Sequence, residues 1–531
     1  MTFSSKNLVL YNANVLTLDP QLPRADWVAV REGKIYRLGF GRGWTDIQGI
    51  KGTPVDLDGK TVVPGFIDAH MHILATIKKH LFLDLAPRKN LRSVLDLQTA
   101  IRNHSLHVSP GKWIFGKGYN EHYLSEKKHP DRWNLDLAAP DHPVKLTHRS
   151  GHTHVLNSLA LKKVGITRES GDPDGGIIDR DFKSGEPTGI LYGMGDFLSE
   201  HIPPPHALEL ESGLKKVNQK LLSFGVTSIH DASHRNDLER WKLLKDWVGG
   251  GKLRPRVHML QGYSSFQRKE HREFSRLPEQ SRLKPGAVKI MVDDTTGRVQ
   301  PGQKELNEMV FEVHRAGMQV AFHAIGENTI DTACQSIASA LAKLPGKGHR
   351  HRIEHCSVCP PALAKKIALL NMSVVSQPPF LFHSGERYLE TVPEHQLDFL
   401  YPFRTLLSHG INLAGSSDSP VVPPDPLTGI YAAVTRSAEN RRVVGGHEKI
   451  SAMEALRLYT CRAAHATFEE DIKGTISPGK LGDLVVLNAD PTRIPTNMLK
   501  NIEVDMTIIG GEVVWQKKGR TGGFPQTGAQ G

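Results

Sequence analysis

Cysteine is scarce in this sequence, long apolar runs are missing, and its first residues do not show a signal-peptide pattern. Only 4 cysteines occur in 531 residues, too few for a disulfide scaffold, so we expect a reducing compartment. No stretch approaches the roughly 18 apolar residues needed to span a bilayer. Met1–Lys6 leads directly into an apolar segment, without the charged region, long apolar core and cleavage site of a signal peptide. The sequence therefore predicts a cytoplasmic protein without membrane contact.

A continuous basic stretch is also missing. The formal net charge is +11, but the basic residues occur in short scattered pairs such as Lys78-Lys79 and Lys127-Lys128. No RNA-binding signature or basic helix accompanies them. The charge therefore indicates a solvated surface and no nucleic-acid partner, with a mild preference for anionic substrates.

Strand patterns are present at both ends of the chain. Short apolar segments with glycine turns open the sequence near 8–36 and close it near 482–515. Such segments are typical of strands, and we expect one small β-sandwich domain built from 1–62 and 470–518. The Gly-, Thr- and Gln-rich tail 519–531 is predicted to be flexible.

Between these ends, strand-like and helix-like patterns alternate. The strand-like segments are 62–69, 225–231, 287–292, 319–323, 350–355, 372–377 and 411–415. This alternation favours an α/β fold with a (β/α)8 TIM-like barrel over 63–469. A doubly wound sheet is the alternative, but no glycine-rich phosphate turn follows the first strand. The stretch 81–202 breaks the alternation and is predicted to be a large insertion near the barrel mouth.

Two histidines, His70 and His72, follow the first barrel strand. Residues two apart on a strand share one face, so both imidazoles can bind a single cation. Barrel enzymes carry their chemistry at the carboxyl ends of the strands, and four more candidate ligands stand at or near such ends: Lys289, His323, His355 and Asp418. With 27 histidines in the chain, any single one could be an ordinary polar residue. The ordered set is what predicts a metal centre.

These residues lie in motifs that resemble the amidohydrolase superfamily. The motifs are VVPGFIDAHMH, a strand-end lysine, HAIGE, RIEH and GSSDSP, in the family's order and spacing. The segment GHTHVLNSLAL at 151–161 resembles the amidohydrolase family 3 branch, which includes N-substituted formamide deformylases. The resemblance covers nearly the whole chain. It implies a metal-dependent barrel hydrolase with a small-molecule substrate and, as a family expectation, a homodimer.

The resemblance also implies metal-binding roles for the histidines. His70 and His72 would bind the more buried metal. His323 and His355 would bind a second metal or share the first one. We therefore expect one or two divalent ions per chain, with zinc as the first candidate.

Lys289 is the unusual member of the set, because an ammonium group has no lone pair for a cation. In many members of the family this lysine reacts with CO2 and becomes a carbamate that bridges two metals. Relatives more often carry an Asp-Gly-Ser-like segment after the lysine, whereas Asp293 and Asp294 occur here. This departure leaves both the ligand set and the metal count open.

Asp418 matches the family's strand-eight aspartate, which is implied to ligate the metal and to shuttle a proton. A divalent cation lowers the pKa of bound water from 15.7 to about 7 and polarises a carbonyl. The metal-bound hydroxide attacks, and Asp418 delivers the proton to the leaving nitrogen. The predicted function is hydrolysis of a non-peptide C–N bond in an amide or N-substituted formamide. A cyclic amide hydrolase or deaminase is the alternative enzyme, and a catalytically silent binding or regulatory protein is the alternative from another class.

Four further residues are candidates for substrate binding. They are His152, His230, Arg298 and His383. His152 would orient the substrate, Arg298 would bind an anionic group, and His383 would line the mouth. His230 would support the ligands from an early barrel strand. Each has a structural alternative: a loop contact for His152, packing for His230, a surface position for Arg298, and no role in the site for His383.

Overall fold

The computed structural model describes residues 7–45, 54–87, 91–173, 175–203, 207–274, 281–294 and 297–518. The chain forms two compact units. One combines Met1–Thr76 with Val217–Gly531, and the other is Ile77–Lys216. The predicted flexible tail lies outside the described residues. No helix in the described part of the chain has the length and apolar composition that crossing a bilayer requires.

Eight parallel strands form the centre of the larger unit. In chain order, β1 to β8 are Phe66–Met71, Val226–Asp231, Arg256–Gly262, Leu283–Met291, Val320–Ala324, Arg352–His355, Ser373–Ser376 and Leu413–Gly415. Each strand pairs with the next one along the chain. The sequence pattern predicts all of them except β3. The (β/α)8 fold class is confirmed, and the doubly wound alternative is wrong.

Hydrogen bonds at the carboxyl ends of β1 and β8, and just beyond them, bring the first and last strands of the barrel together. The N–H of Asp418 donates to the carbonyl of His70 at 2.8 Å, and the N–H of His72 donates to the carbonyl of Ser419 at 2.7 Å. The first and last strands are therefore joined at their carboxyl ends. Three of the candidate ligands lie at this junction.

Helices cover the outside of the barrel. Those of the larger unit are Leu238–Gly249, Tyr263–Gln267, His271–Phe274, Gln303–Arg315, Glu327–Lys343, Pro361–Leu369, Pro379–Thr391, Glu394–Leu397, Phe403–Ser408, Pro426–Thr435, Ala452–Leu458 and Cys461–His465, with 3-10 turns at Gly446–Glu448 and Thr496–Asn501. Gln303–Arg315 shows why they form, because Leu306, Val310 and Val313 repeat at helical spacing and are buried. Two further helices, Ile73–Lys79 and Ala207–Ser223, contain the boundaries between the units.

The larger unit has two further β-sheets, and the six-stranded one combines strands from both ends of the sequence. The four-stranded sheet contains, in order, Lys34–Gly39, Trp27–Arg31, Leu8–Tyr11 and Val55–Asp56. The six-stranded sheet contains Glu512–Gln516, Val504–Ile509, Leu484–Leu487, Thr61–Pro64, Asn14–Leu16 and Arg24–Ala25. Leu10 and Val30 of the first sheet share one apolar core with Val62 and Val486 of the second. The neighbouring Val63 and Val485 belong to the barrel core instead, so these strands are buried on both faces.

The unit Ile77–Lys216 has a mixed sheet of its own. Its strands are, in order, Ile177–Arg180, Pro187–Tyr192, Thr153–Leu156, Val144–His148, Ile114–Tyr119 and Leu83–Asp84. Its helices are Val94–Ser105, Arg132–Ala138, Ser158–Val164 and Gly195–His201, with a 3-10 turn at Glu121–Tyr123. The first four strands pair antiparallel and the last three pair parallel. This mixture explains why 81–202 does not show the barrel's βα alternation. The predicted domain boundaries stay predictions.

Two hydrogen-bonded histidines, His351 and His314, are buried beside β5 and β6. The N–H of Val320 donates to Nδ1 of His351 at 2.9 Å, so the proton of that ring is on Nε2. Nε2 lies 3.0 Å from Nδ1 of His314, whose Nε2 lies 2.9 Å from the carbonyl of Leu344. Both ring nitrogens of His351 are therefore hydrogen-bonded in its neutral form. Burial lowers the pKa of His351 to about 2.

We expect His351 to make the fold sensitive to acid. The folded protein keeps this ring neutral, whereas the unfolded chain binds a proton below a pH of about 6.5. Stability is therefore lost as pH falls from about 6.5 towards the lowered pKa, by about 2 kcal/mol between pH 7 and 5. His351→Gln, which keeps a donor and an acceptor, should lose less stability over this range in urea unfolding. His395→Gln, at an exposed position, is the control, and equal losses in all three proteins would contradict the prediction.

Candidate metal centre

Three candidate ligands, His70, His72 and Asp418, meet at the carboxyl ends of β1 and β8. Asp418 Oδ1 lies 3.0 Å from His72 Nε2 and 3.4 Å from His70 Nε2. One ligand atom from each residue falls within 4.8 Å of the other two. Two imidazole nitrogens and one carboxylate oxygen at this spacing are suited to a single divalent ion.

The backbone at two ligand positions has an uncommon conformation. Asp418 has a φ of 53° and His355 a φ of 78°, in the left-handed region that favours glycine. Hydrogen bonds hold Asp418 there, since its N–H donates to His70 and its carbonyl accepts the N–H of Val421 at 2.9 Å. Such conformations cost about 1–3 kcal/mol each and are concentrated at functional sites.

The later histidines lie next to His70. The ring centroid of His355 is 5.0 Å from that of His70 and 4.5 Å from that of His323. Burial lowers the pKa of His323 to about 3 and the pKa of His355 well below its usual range. Both rings are therefore neutral and have a lone pair to offer a cation.

Lys289 is buried on β4, with 2% of its surface exposed. Burial lowers the pKa of its amine to about 8, although the carboxylates of Glu354 and Asp418 oppose this shift. In a fraction of the molecules the Lys289 amine is therefore unprotonated at neutral pH. This is the form that reacts with CO2.

Several buried donor and acceptor atoms at this site have no hydrogen-bond partner. They are His70 Nε2, Asp418 Oδ1 and Lys289 Nζ. Buried polar atoms are rarely left unpaired in folded proteins unless water or an ion completes them. Imidazole nitrogen and carboxylate oxygen suit zinc and related divalent ions. The residues present therefore fit a divalent metal.

Asp418 is held in its ionised form. Burial would raise the pKa of its carboxyl, but the contacts with His70 and His72 outweigh burial and hold the pKa well below its usual range. An ionised carboxylate beside the candidate ligands can accept a proton.

Partners on the Nδ1 side of three histidines were not identified from the sequence. His70 Nδ1 lies 2.5 Å from Oε2 of Glu354. His72 Nδ1 lies 3.0 Å from the hydroxyl of Ser233, and His355 Nδ1 lies 3.0 Å from Oε1 of Gln377. In His70 and His72 this arrangement leaves Nε2 on the side of Asp418.

Glu354 itself is paired with Arg352 inside the barrel, and both side chains are fully buried. Arg352 Nε donates to Oε1 at 2.5 Å and Nη2 donates to Oε2 at 3.0 Å. Burial would raise the pKa of Glu354, but Arg352 and Lys289 outweigh it and hold the pKa well below its usual range. Charged residues on a strand usually face solvent, so the pattern Arg-Ile-Glu-His did not show that all four residues are buried.

The candidate substrate residues occupy different environments. His230 lies on β2, fully buried, and neither ring nitrogen has a hydrogen-bond partner. Arg298 and His383 are exposed, with His383 on the helix Pro379–Thr391. His152 is exposed in the unit Ile77–Lys216, where its N–H donates to Ser150 Oγ at 3.3 Å. Their roles in substrate binding stay predictions.

A parallel barrel with histidine, lysine and aspartate at its carboxyl ends is an architecture of metal-dependent hydrolases. The chain belongs to the amidohydrolase family, whose model matches residues 54–515, and it is a hydrolase. It is 30% identical to the putative amidohydrolase YtcJ of Bacillus subtilis, over 95% of this chain and 98% of that protein. It is 28% identical to the N-substituted formamide deformylase of Arthrobacter pascens, over 97% and 99% of the two chains. An uncharacterized metal-dependent hydrolase from Pyrococcus horikoshii shares the fold, with a TM-score of 0.76, 23% identity and coverage of 92% and 99%.

Proposed function

We propose that this protein hydrolyses the non-peptide C–N bond of a small-molecule amide, first of all an N-substituted formamide, with a divalent metal that we take to be zinc. The observation that carries the proposal is the convergence of His70, His72 and Asp418, with buried unpaired ligand atoms. The relative from Arthrobacter pascens, matched along almost its whole length, supports the substrate class. We also propose a cytoplasmic location, which the free thiols of the four cysteines support.

A bound metal and the protein's own side chains would have separate roles in this reaction. A bound divalent cation would lower the pKa of a coordinated water from 15.7 to about 7 and polarise the amide carbonyl. Asp418 accepts the proton of the attacking water, because its carboxylate is ionised in the folded protein. It then donates that proton to the nitrogen, so that the product leaves as a neutral amine rather than as a strongly basic amide anion.

Lys289 is proposed to carry a carbamate. Its unprotonated nitrogen attacks the carbon of CO2 and releases a proton, which converts the amine into an anion with two oxygen ligands. The buried amine without a hydrogen-bond partner supports this assignment. His323 and His355 would then hold a second ion with the carbamate, or share the first ion.

Two exposed apolar residues support an apolar substituent on the substrate nitrogen. Ile325 follows β5 two residues after His323, and it is 46% exposed. Val421 is 61% exposed and its N–H donates to the carbonyl of Asp418. Large apolar side chains exposed beside polar ligands are typical of a substrate pocket.

We expect the zinc-loaded protein to release formate from N-alkyl and N-aryl formamides, faster as the apolar substituent grows. Removing zinc with a chelator should abolish turnover, and adding it back should restore it. Three products are measured in parallel assays: formate from formamides, ammonia from amino-substituted heterocycles, and ring-opened acid from cyclic amides. Ammonia as the main product would contradict the proposal and indicate a deaminase. Ring-opened acid as the main product would indicate a cyclic amide hydrolase. Bound zinc without any turnover would favour a binding or regulatory protein.

A further inference from the structure

The three histidines with assigned Nδ1 partners are held by partners of different charge. His70 contacts the carboxylate of Glu354 directly. His72 contacts the Ser233 hydroxyl, which itself donates to Asp231 at 2.7 Å. His355 contacts the neutral amide of Gln377. Of these three histidines, His70 is thus the one whose Nδ1 contacts a carboxylate directly.

We infer that Glu354, held by Arg352, is the positioning residue that makes His70 the dominant metal donor. A carboxylate beyond the ring holds the proton on Nδ1, directs the Nε2 lone pair towards the cation and raises the basicity of that nitrogen. Neutral amide and hydroxyl partners fix orientation but add less to basicity. This inference rests on the metal centre proposed above.

The surroundings of Glu354 explain how it can act in this way. Arg352 binds both of its oxygens, and Nη2 of the same guanidinium donates to the carbonyl of Ala69 at 2.8 Å. Ala69 directly precedes His70, so one guanidinium fixes both the carboxylate and the strand that carries the histidine. Both side chains of the pair are fully buried, so water does not compete for their hydrogen bonds. A bidentate Arg–carboxylate pair also fixes the plane of the carboxylate.

The test is the affinity for zinc alone, measured on the full-length metal-free protein by competition with a chelator. Glu354→Gln keeps the shape and an acceptor for the Nδ1 proton but removes the charge. It reproduces at His70 the amide contact that Gln377 makes with His355. We expect zinc to bind about 10–100-fold more weakly. Arg352→Lys, which keeps Glu354 but loses the bidentate contact, should weaken zinc binding in the same direction.

The control is Glu469→Gln, which removes another buried carboxylate from an ion pair, with Lys473 at 2.6 Å. It should lower the melting temperature without changing zinc affinity. Unchanged zinc affinity in Glu354→Gln and Arg352→Lys would overturn the inference and leave the pair a structural role. If Glu354→Gln does not fold, the Arg352→Lys measurement decides. A wild-type protein that binds no zinc would instead contradict the proposed metal centre.

Discussion

Asp418→Asn is expected to lower kcat/KM by about 10²–10⁴-fold while most of the metal stays bound. Asparagine keeps the size of the side chain and an oxygen near His70 and His72, but it cannot accept a proton. The expected loss is that of a general acid–base group. Steady-state kinetics with a formamide substrate, together with elemental analysis of the same sample, measures both quantities.

A matched control lies in the same loop. Asp425 caps the helix Pro426–Thr435 by accepting the N–H of Leu427. Asparagine is an equally good N-cap, so Asp425→Asn should keep activity within about 2-fold of wild type. Normal activity in Asp418→Asn would show that the proposed proton shuttle is wrong. Loss of the metal together with activity would assign Asp418 mainly to metal binding.

Lys289→Ala is expected to reduce the metal content from about two ions per chain to one or fewer and to lower activity by about 10²-fold or more. The reason is that the variant removes the nitrogen on which the proposed bridging carbamate forms. Wild-type protein loaded with metal under CO2-free conditions should show the same loss of metal. Added bicarbonate should restore the metal content of the wild-type protein but not that of Lys289→Ala.

Lys284→Ala is the control for this experiment, because Lys284 lies on the same strand but is more exposed and pairs with Glu469. It should keep the wild-type metal content. One metal per chain in both wild type and Lys289→Ala would indicate a mononuclear site formed by the histidines and Asp418. Complete absence of metal in both, even after reconstitution, would contradict the metal centre as a whole.

The barrel was predictable from the sequence because most of its strands are continuous apolar segments between amphipathic helices. The strand β3 shows the limit of this signal. Its apolar residues Val257, Met259 and Leu260 alternate irregularly with His258 and Gln261, which are also buried. Polar residues inside a large barrel remove the periodicity on which a strand prediction depends. Neighbouring strands, rather than the local pattern, determine this element.

The candidate ligands could be proposed from their order at strand ends, but their supporting residues could not. Ser233 and Gln377 reach their histidines through loop and strand-end geometry that a linear pattern does not contain. Arg352 and Glu354 are charged, and charged residues are almost never fully buried unless they are paired. A single sequence gives no sign of that pairing. Hydrogen bonding in three dimensions is what reveals these partners.

The order of synthesis has a consequence for the six-stranded sheet. Its N-terminal strand Thr61–Pro64 pairs with Leu484–Leu487, which the ribosome adds about 420 residues later. At about 5–20 residues per second, the N-terminal strand waits tens of seconds for its neighbour. During that time the apolar faces of Val62 and Val63 have no permanent cover. The six-stranded sheet is therefore completed only after all eight barrel strands have been synthesised, and its N-terminal strands stay incompletely covered until then.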